Sequence, residues 1–231
     1  MDLSLEATSR IEAAKDEVIA AGKFLGSRQY HVALAGNISA RVSEDQVICT
    51  RHGADKEALD RDDLVLCDLS GQKLAGRGEP TSELNMHRMA YAMRPEVGSV
   101  IHSHPPAATA FAAASVPLDQ LQLPEMLVLL GPVGFVPYAT PGSELLAHKL
   151  AQLLPDHDAF LLENHGALVL GLTARQAALR MDLLEQNARI SLMVWQLGKP
   201  FALAPSERET LMGFRQAMAR WGCEQFTRHQ H

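Results

Sequence analysis

Three histidines and one glutamate carry the first chemical signal in this chain. His102-Ser103-His104 closes an apolar run, Val97 to His102, that reads as a β-strand. In a strand, residues i and i+2 point to the same side, so both imidazoles can reach one point. The Pro105-Pro106 pair that follows stops strand pairing and leaves them at a strand end, where a coordination position can face a cavity. His165 offers a third imidazole in Glu163-Asn164-His165-Gly166, a polar tight turn between two apolar runs. Neutral imidazole is a good ligand for zinc and similar divalent ions, and a catalytic centre usually keeps three protein ligands plus one open position. Glu83 can add an oxygen ligand or act as the base, because it stands at a helix start where the macrodipole favours a carboxylate. For the H-x-H pair alone, histidines that merely satisfy hydrogen bonds remain an equal alternative; His165 and Glu83 tilt the pattern to metal.

Alternating helices and strands must position these groups. Apolar residues at three- and four-residue intervals predict an opening helix from about Ser4 to Leu25. Gly36–Val42 and Gln46–Thr50 read as a hairpin around Ser43-Glu44-Asp45, and Leu64–Leu69 as another strand. After Ser70-Gly71 comes a loop in which Gly76, Gly78 and Pro80 forbid regular structure. Thr81-Ser82-Glu83 is read as the cap of a helix reaching about Met93, which Pro95 limits. A short helix near Ala107–Ala114, strands at Val133–Pro137, Ala159–Leu162 and Gly166–Gly171, and a helix near Ser143–Leu153 follow. A long helix over Thr173–Leu197 with a threonine cap and a last helix over about Glu207–Trp221 complete an α/β order with helices on both faces of one sheet.

The 231 residues fit one domain, 1–231, and no linker divides them. With 47% hydrophobic and 21% charged residues there is ample material for a core. A net charge of -6 without basic runs argues against nucleic acid and anionic membrane surfaces, and leaves a small-molecule partner. Cys49, Cys67 and Cys223 form no C-x-x-C pair, which fits a reducing compartment. The acidic start and the lack of a run of about 20 apolar residues predict neither signal peptide nor span, so the expected location is the cytoplasm.

Gly36-Asn37-Ile38-Ser39, Glu79-Pro80-Thr81-Ser82-Glu83, His102-Ser103-His104-Pro105 and Asn164-His165-Gly166 occur in the order of the class II aldolase/adducin family, which the chain resembles from about Ala7 to Gln196. Asp55-Lys56, Asp63-Leu64-Val65 and Pro137–Glu144 extend the likeness. Residues 200–231, a helix and tail, lie outside it. The resemblance implies a three-layer α/β/α fold with a central mixed, largely antiparallel sheet. It implies one divalent metal per subunit, zinc first and Mn2+, Co2+ or Fe2+ as alternatives, on His102, His104 and His165, with Glu83 as fourth ligand at rest and proton acceptor once substrate displaces it. It also implies a homotetramer with active sites at subunit interfaces. Glutamate at position 83, where the family's epimerases have aspartate, favours its aldolase-like branch, that of fuculose-phosphate aldolase. There Asn37, Thr81 and Ser82 would hold a substrate phosphate. Hydroxyls and backbone N–H groups at a helix N-terminus make an anion site, although without the resemblance plain helix capping is the commoner reading of Thr81 and Ser82.

Two departures bear on the substrate. Thr50-Arg51-His52-Gly53 replaces the family's Thr-Pro-Thr/Ser-Gly turn, so Arg51 and His52 could grip a carboxylate as readily as a phosphate, or form a solvated turn. The tyrosine acid of the aldolases falls at Glu125, which could protonate an intermediate or simply solvate a loop. The leading expectation is retro-aldol cleavage of a small phosphorylated ketose through a metal-stabilised enediolate. The alternatives are decarboxylation of a hydroxylated keto or aromatic acid at the same centre, and a non-catalytic adducin-like scaffold. The tail, with His229 and His231, could complete a neighbour's site or be mobile.

Overall fold

The computed structural model describes residues 3–118, 123–198, 201 and 203–228. Among the described residues eight strands form one sheet: β1 (Asn37–Arg41), β2 (Gln46–Thr50), β3 (Leu64–Asp68), β4 (Lys73–Ala75), β5 (Ser99–Ser103), β6 (Val133–Val136), β7 (Ala159–Leu162) and β8 (Gly166–Gly171). Their order across the sheet is β4-β3-β2-β1-β5-β8-β7-β6. Every neighbouring pair is antiparallel except β6 and β7, so the sheet is mixed and largely antiparallel.

Among the described residues, α1 (Leu3–Ser27), α2 (Leu84–Met93), α3 (Pro106–Ala113), α4 (Glu144–Ala151) and α5 (Ala174–Leu197) cover its two faces, and α6 (Pro205–Arg228) packs against Met126–Leu130. Strand alternation sorts the core. Ile38, Ala40, Ile101, Ala167 and Val169 face one layer with Val18 and Leu25 of α1, Phe111 of α3 and Met181 of α5. Cys49, Val65, Val100, Leu168 and Leu170 face the other with Met86 and Tyr91 of α2 and Leu146 and Leu150 of α4. The same alternation turns Asn37, Ser39 and His102 toward α2. This is the three-layer arrangement that the resemblance implies.

Helix starts are held by identifiable oxygens. The Thr173 hydroxyl accepts the Gln176 N–H and the Ser143 hydroxyl that of Leu146. α3 begins with Pro105-Pro106, and its first two amides, Ala107 and Ala108, donate to the buried carboxylate of Glu185 at 3.1 and 2.9 Å. Glu185 is also paired with Arg189 at 2.7 Å. The chain that leaves His104 is thus fixed to α5 by a capping carboxylate from elsewhere in the fold. Asp158, just before β7, gathers Arg94, Arg180 of α5 and Arg215 of α6.

Differences from the sequence expectations lie in short or irregular segments. The run after Gly71 contains β4, three exposed residues paired with β3 across a register shift; the breakers begin only at Gly76. Met126–Leu130 forms a π-helical turn. β5 runs Ser99–Ser103 rather than Val97–His102, and α6 runs from Pro205 to Arg228 rather than Glu207 to Trp221.

Candidate metal centre

The predicted groups converge on one end of the sheet. Asn37, the first residue of β1, pairs in register with His102 near the end of β5, and Gly166 opens β8 beside it. The turn after β2 is joined to the approach of α2 by His52 N–H to Glu79 O, 2.8 Å, and Thr81 N–H to Thr50 O, 3.1 Å. Glu83 is therefore carried to the histidines by the β2 hairpin as well as by its own helix.

The nitrogen and oxygen atoms are close enough for one ion. His102, His104 and His165 each place a ring nitrogen within 4.8 Å of the others. His102 Nε2 and His104 Nε2 are 3.0 Å apart. Glu83 Oε2 is 3.3 Å from His102 Nε2, and Oε1 is 3.2 Å from His165 Nε2. His102 Nδ1 lies 2.9 Å from the Ala167 carbonyl, which can only accept. Nδ1 must then carry the proton, and Nε2 turns a free lone pair to the centre. Glu83 Oε1 and His165 Nδ1 are buried with no hydrogen-bond partner.

The protonation states fit. Burial, then the charges of His165 and His104, push His102 well below the usual imidazole range. Burial and His165 bring His104 down to about 4, and burial lowers His165. Neutral imidazoles are the ligand form. Convergent lone pairs and an orphaned carboxylate oxygen are unfavourable neighbours for one another, and a divalent cation among them satisfies all four.

Local backbone makes this approach possible. Asn164 takes φ 53° in the turn that presents His165. A Cβ on Gly166 would stand 2.3 Å from His104 Cδ2 and 2.8 Å from the Ser103 carbonyl, so the ring of His104 occupies space that any other residue would fill.

The predicted binding residues are placed as follows. Asn37 is buried; its Nδ2 donates to Glu83 Oε2 at 2.9 Å and its Oδ1 meets His87 Nε2 at 2.6 Å, leaving one amide N–H unassigned. Thr81 is buried with its hydroxyl 3.3 Å from the Glu83 N–H, and Ser82 is exposed. Glu83 sits at the N-cap of α2 without a side-chain capping bond, so the predicted capping role of this triplet does not hold as read. The Arg51 guanidinium is bound to Asp63 at 2.6 Å, while His52 is exposed and Gly53 takes φ 73°. Glu125 is exposed at the start of the π turn and makes no side-chain hydrogen bond or ion pair among the described residues. His229 and His231 lie outside the described residues.

Sequence reasoning gave no role to three residues around the centre. His87, fully buried on α2, bonds Asn37; the four-residue step from Glu83 was the available signal. Lys56 hides in the charged run Asp55-Lys56-Glu57 yet is buried, its ammonium donating to the carbonyls of Leu34 and Ala54. Burial brings it down to about 8, and its charge acts on His104 and His31. His31, beside Ser103 Oγ at 3.3 Å, is brought to about 4 by burial.

Residues 16–192 match the model of the Class II Aldolase and Adducin N-terminal domain. The chain is 32% identical over 179 residues to an L-fuculose phosphate aldolase of Methanocaldococcus jannaschii, covering 78% of this chain and 96% of that one. It is 31% identical over 183 residues to a 3-oxo-tetronate 4-phosphate decarboxylase of Pectobacterium atrosepticum, covering 78% and 84%. A solved L-fuculose 1-phosphate aldolase superposes with a TM-score of 0.81 at 28% identity, over 87% of this chain and 95% of that one. The matched span reaches from α1 into α5 and takes in Glu83 and all three histidines, and with that the chain belongs to the class II aldolase and adducin family as an aldolase-like, metal-dependent lyase of a small molecule.

Proposed function

We propose that the chain catalyses retro-aldol cleavage of a small phosphorylated ketose, with zinc on His102, His104, His165 and Glu83. The observation that carries this reading is the carboxylate of Glu83: one oxygen is held by Asn37, and the other is buried, unpartnered and aimed at the histidines. A divalent ion bound there would supply Lewis acidity to a ligated carbonyl. Once substrate takes its place at the ion, Glu83 would be the proton acceptor for the hydroxyl on the carbon that becomes the aldehyde. The O–H pair becomes the new aldehyde carbonyl, and the C–C pair passes to the ketose fragment, which must then be protonated. Thr81, Ser82, Gly53 and the spare N–H of Asn37 stand at one sheet end with Glu83 and are assigned to the phosphate. Exposed His52 is assigned to the same anion.

Decarboxylation of a phosphorylated 3-oxo acid is the second reading, favoured by the similarity to the Pectobacterium enzyme and by the cationic Arg51-His52 turn. A carboxylate gripped by Arg51 would share its guanidinium with Asp63. One assay separates the two. Zinc-loaded protein given ketose 1-phosphates should release dihydroxyacetone phosphate and an aldehyde. Carbon dioxide from 3-oxo acid phosphates, with no aldehyde from any ketose, would replace the first reading by the second.

The same reading makes the protein a cytoplasmic homotetramer with centres at subunit boundaries. Val32 and Leu34, on the loop that leads to Gly36, and Tyr138, whose N–H donates to Glu163, are exposed apolar residues. Exposed apolar residues of this kind suit a covering subunit. Exposed Glu125 then serves as proton donor in a neighbour's centre. A solution mass near that of one chain, instead of four, would remove this assembly.

A further inference from the structure

Glu83, His87 and Tyr91 are four residues apart, on a single stripe that runs into α2. Asn37, Ser39 and Arg41 are two apart, on a single face of β1. Four helical residues rise about 6 Å, and two strand residues about 6.7 Å. The two rows therefore interleave: Asn37, Ser39, His87 and Tyr91 each meet two residues of the other row, and Glu83 and Arg41, at the ends, meet one. Asn37 Nδ2 is 2.9 Å from Glu83 Oε2, and Asn37 Oδ1 is 2.6 Å from His87 Nε2. Ser39 Oγ is 2.7 Å from both His87 Nδ1 and the Tyr91 hydroxyl. Arg41 closes the row, 4.8 Å from the Tyr91 ring centre and donating to the Tyr91 carbonyl at 2.8 Å.

This is a buried polar seam in an otherwise apolar layer. Such a seam is costly unless every member is satisfied. Here the donors and acceptors have one consistent assignment. A ligating carboxylate can only accept, so Asn37 gives it an N–H and keeps its carbonyl oxygen for His87. His87 Nε2 must then donate, which leaves Nδ1 as acceptor of the Ser39 hydroxyl. Ser39 in turn accepts from Tyr91. Complete burial keeps His87 neutral, with its pKa brought down to about 3.

We propose that Tyr91, Ser39 and His87 form a one-way hydrogen-bond chain that locks the Asn37 amide and thereby positions the Glu83 carboxylate for the metal and the substrate proton. His87 is a positioning residue that acts through Asn37. If the amide turned over, its carbonyl would face the carboxylate and push it from the histidines. This inference rests on the reading of Glu83 as ligand and proton acceptor.

Nitrogen-15 NMR of the metal-free native protein tests the chain directly. His87 should show a protonated Nε2 and a bare Nδ1; the reverse tautomer overturns the proposal. Titration with Zn2+ tests its consequence: His87→Leu should bind about 10- to 100-fold more weakly, as loss of such outer partners usually does, and His87→Gln, which keeps a donor for Asn37, should stay within about threefold. Native-like affinity in His87→Leu, or equal losses in both variants, overturns it. Should His87→Leu fail to fold, Ser39→Ala takes its place, with an expected loss of about tenfold, and unchanged affinity there overturns the proposal too. Glu83→Gln separates the two claims. If that variant binds Zn2+ like the native chain, the role given to Glu83 falls while the tautomer of His87 still stands.

Discussion

His102→Ala protein is expected to fold, to gain no thermal stability from Zn2+, and to turn over substrate about 1000-fold more slowly than the native chain. Several kcal/mol of Lewis-acid stabilisation lost, at about 1.4 kcal/mol per factor of ten, gives that order. The fold should survive because the metal-free centre gains little from this imidazole. His102 Nε2 stands 3.0 Å from His104 Nε2 and 3.3 Å from a carboxylate oxygen, with its lone pair toward them. Removing it relieves that crowding and offsets part of the cavity left behind. In the native chain, Zn2+ at about 100 times its dissociation constant should add about 2.7 kcal/mol. Calorimetry with and without Zn2+ checks both halves. A variant that keeps the metal-induced rise would show that the ion, if bound, lies elsewhere.

Acid should unfold the metal-free protein from an unusually mild pH. His31 and His104 are held to about 4 and His87 to about 3, each chiefly by burial, against about 6.5 for an unfolded histidine. All three are neutral in both states above pH 7, so they leave stability level there. Between about pH 6.5 and 4 the unfolded chain binds protons that the folded chain refuses, and stability falls as pH falls. Where all three differ, near pH 5, the slope reaches about 4 kcal/mol per pH unit. Below about 4, His31 and His104 charge in the folded state as well, and the slope slackens. Urea titrations in chelator from pH 8 to pH 4 read this directly. A midpoint that is flat down to pH 5 would mean that these imidazoles are not buried neutral.

The sequence exposed the centre because its candidate ligands obey local rules. His102 and His104 share a side by strand alternation, and His165 interrupts two apolar runs. The helix start at Thr173 was equally plain, since its cap and apolar spacing agree. What stayed hidden depended on packing between distant segments. β4 carries no apolar alternation and exists through pairing with β3. Lys56 entered only as part of a family motif, and nothing local says that the Leu34 and Ala54 carbonyls close over it. Glu185 reads as one more polar residue of a long helix, and only the fold brings it to the amides of α3. Asn37 was legible as a polar group at a strand start, but its two partners lie 46 and 50 residues away.

Gly166 carries a lesson for anyone who would redesign this centre. The first carbon of any side chain there would collide with the His104 ring and with the Ser103 backbone, so libraries that vary position 166 will return mostly damaged centres. On the proposed phosphate assignment, exposed Ser82 and His52 are the places where new specificity can be written without touching the candidate metal ligands.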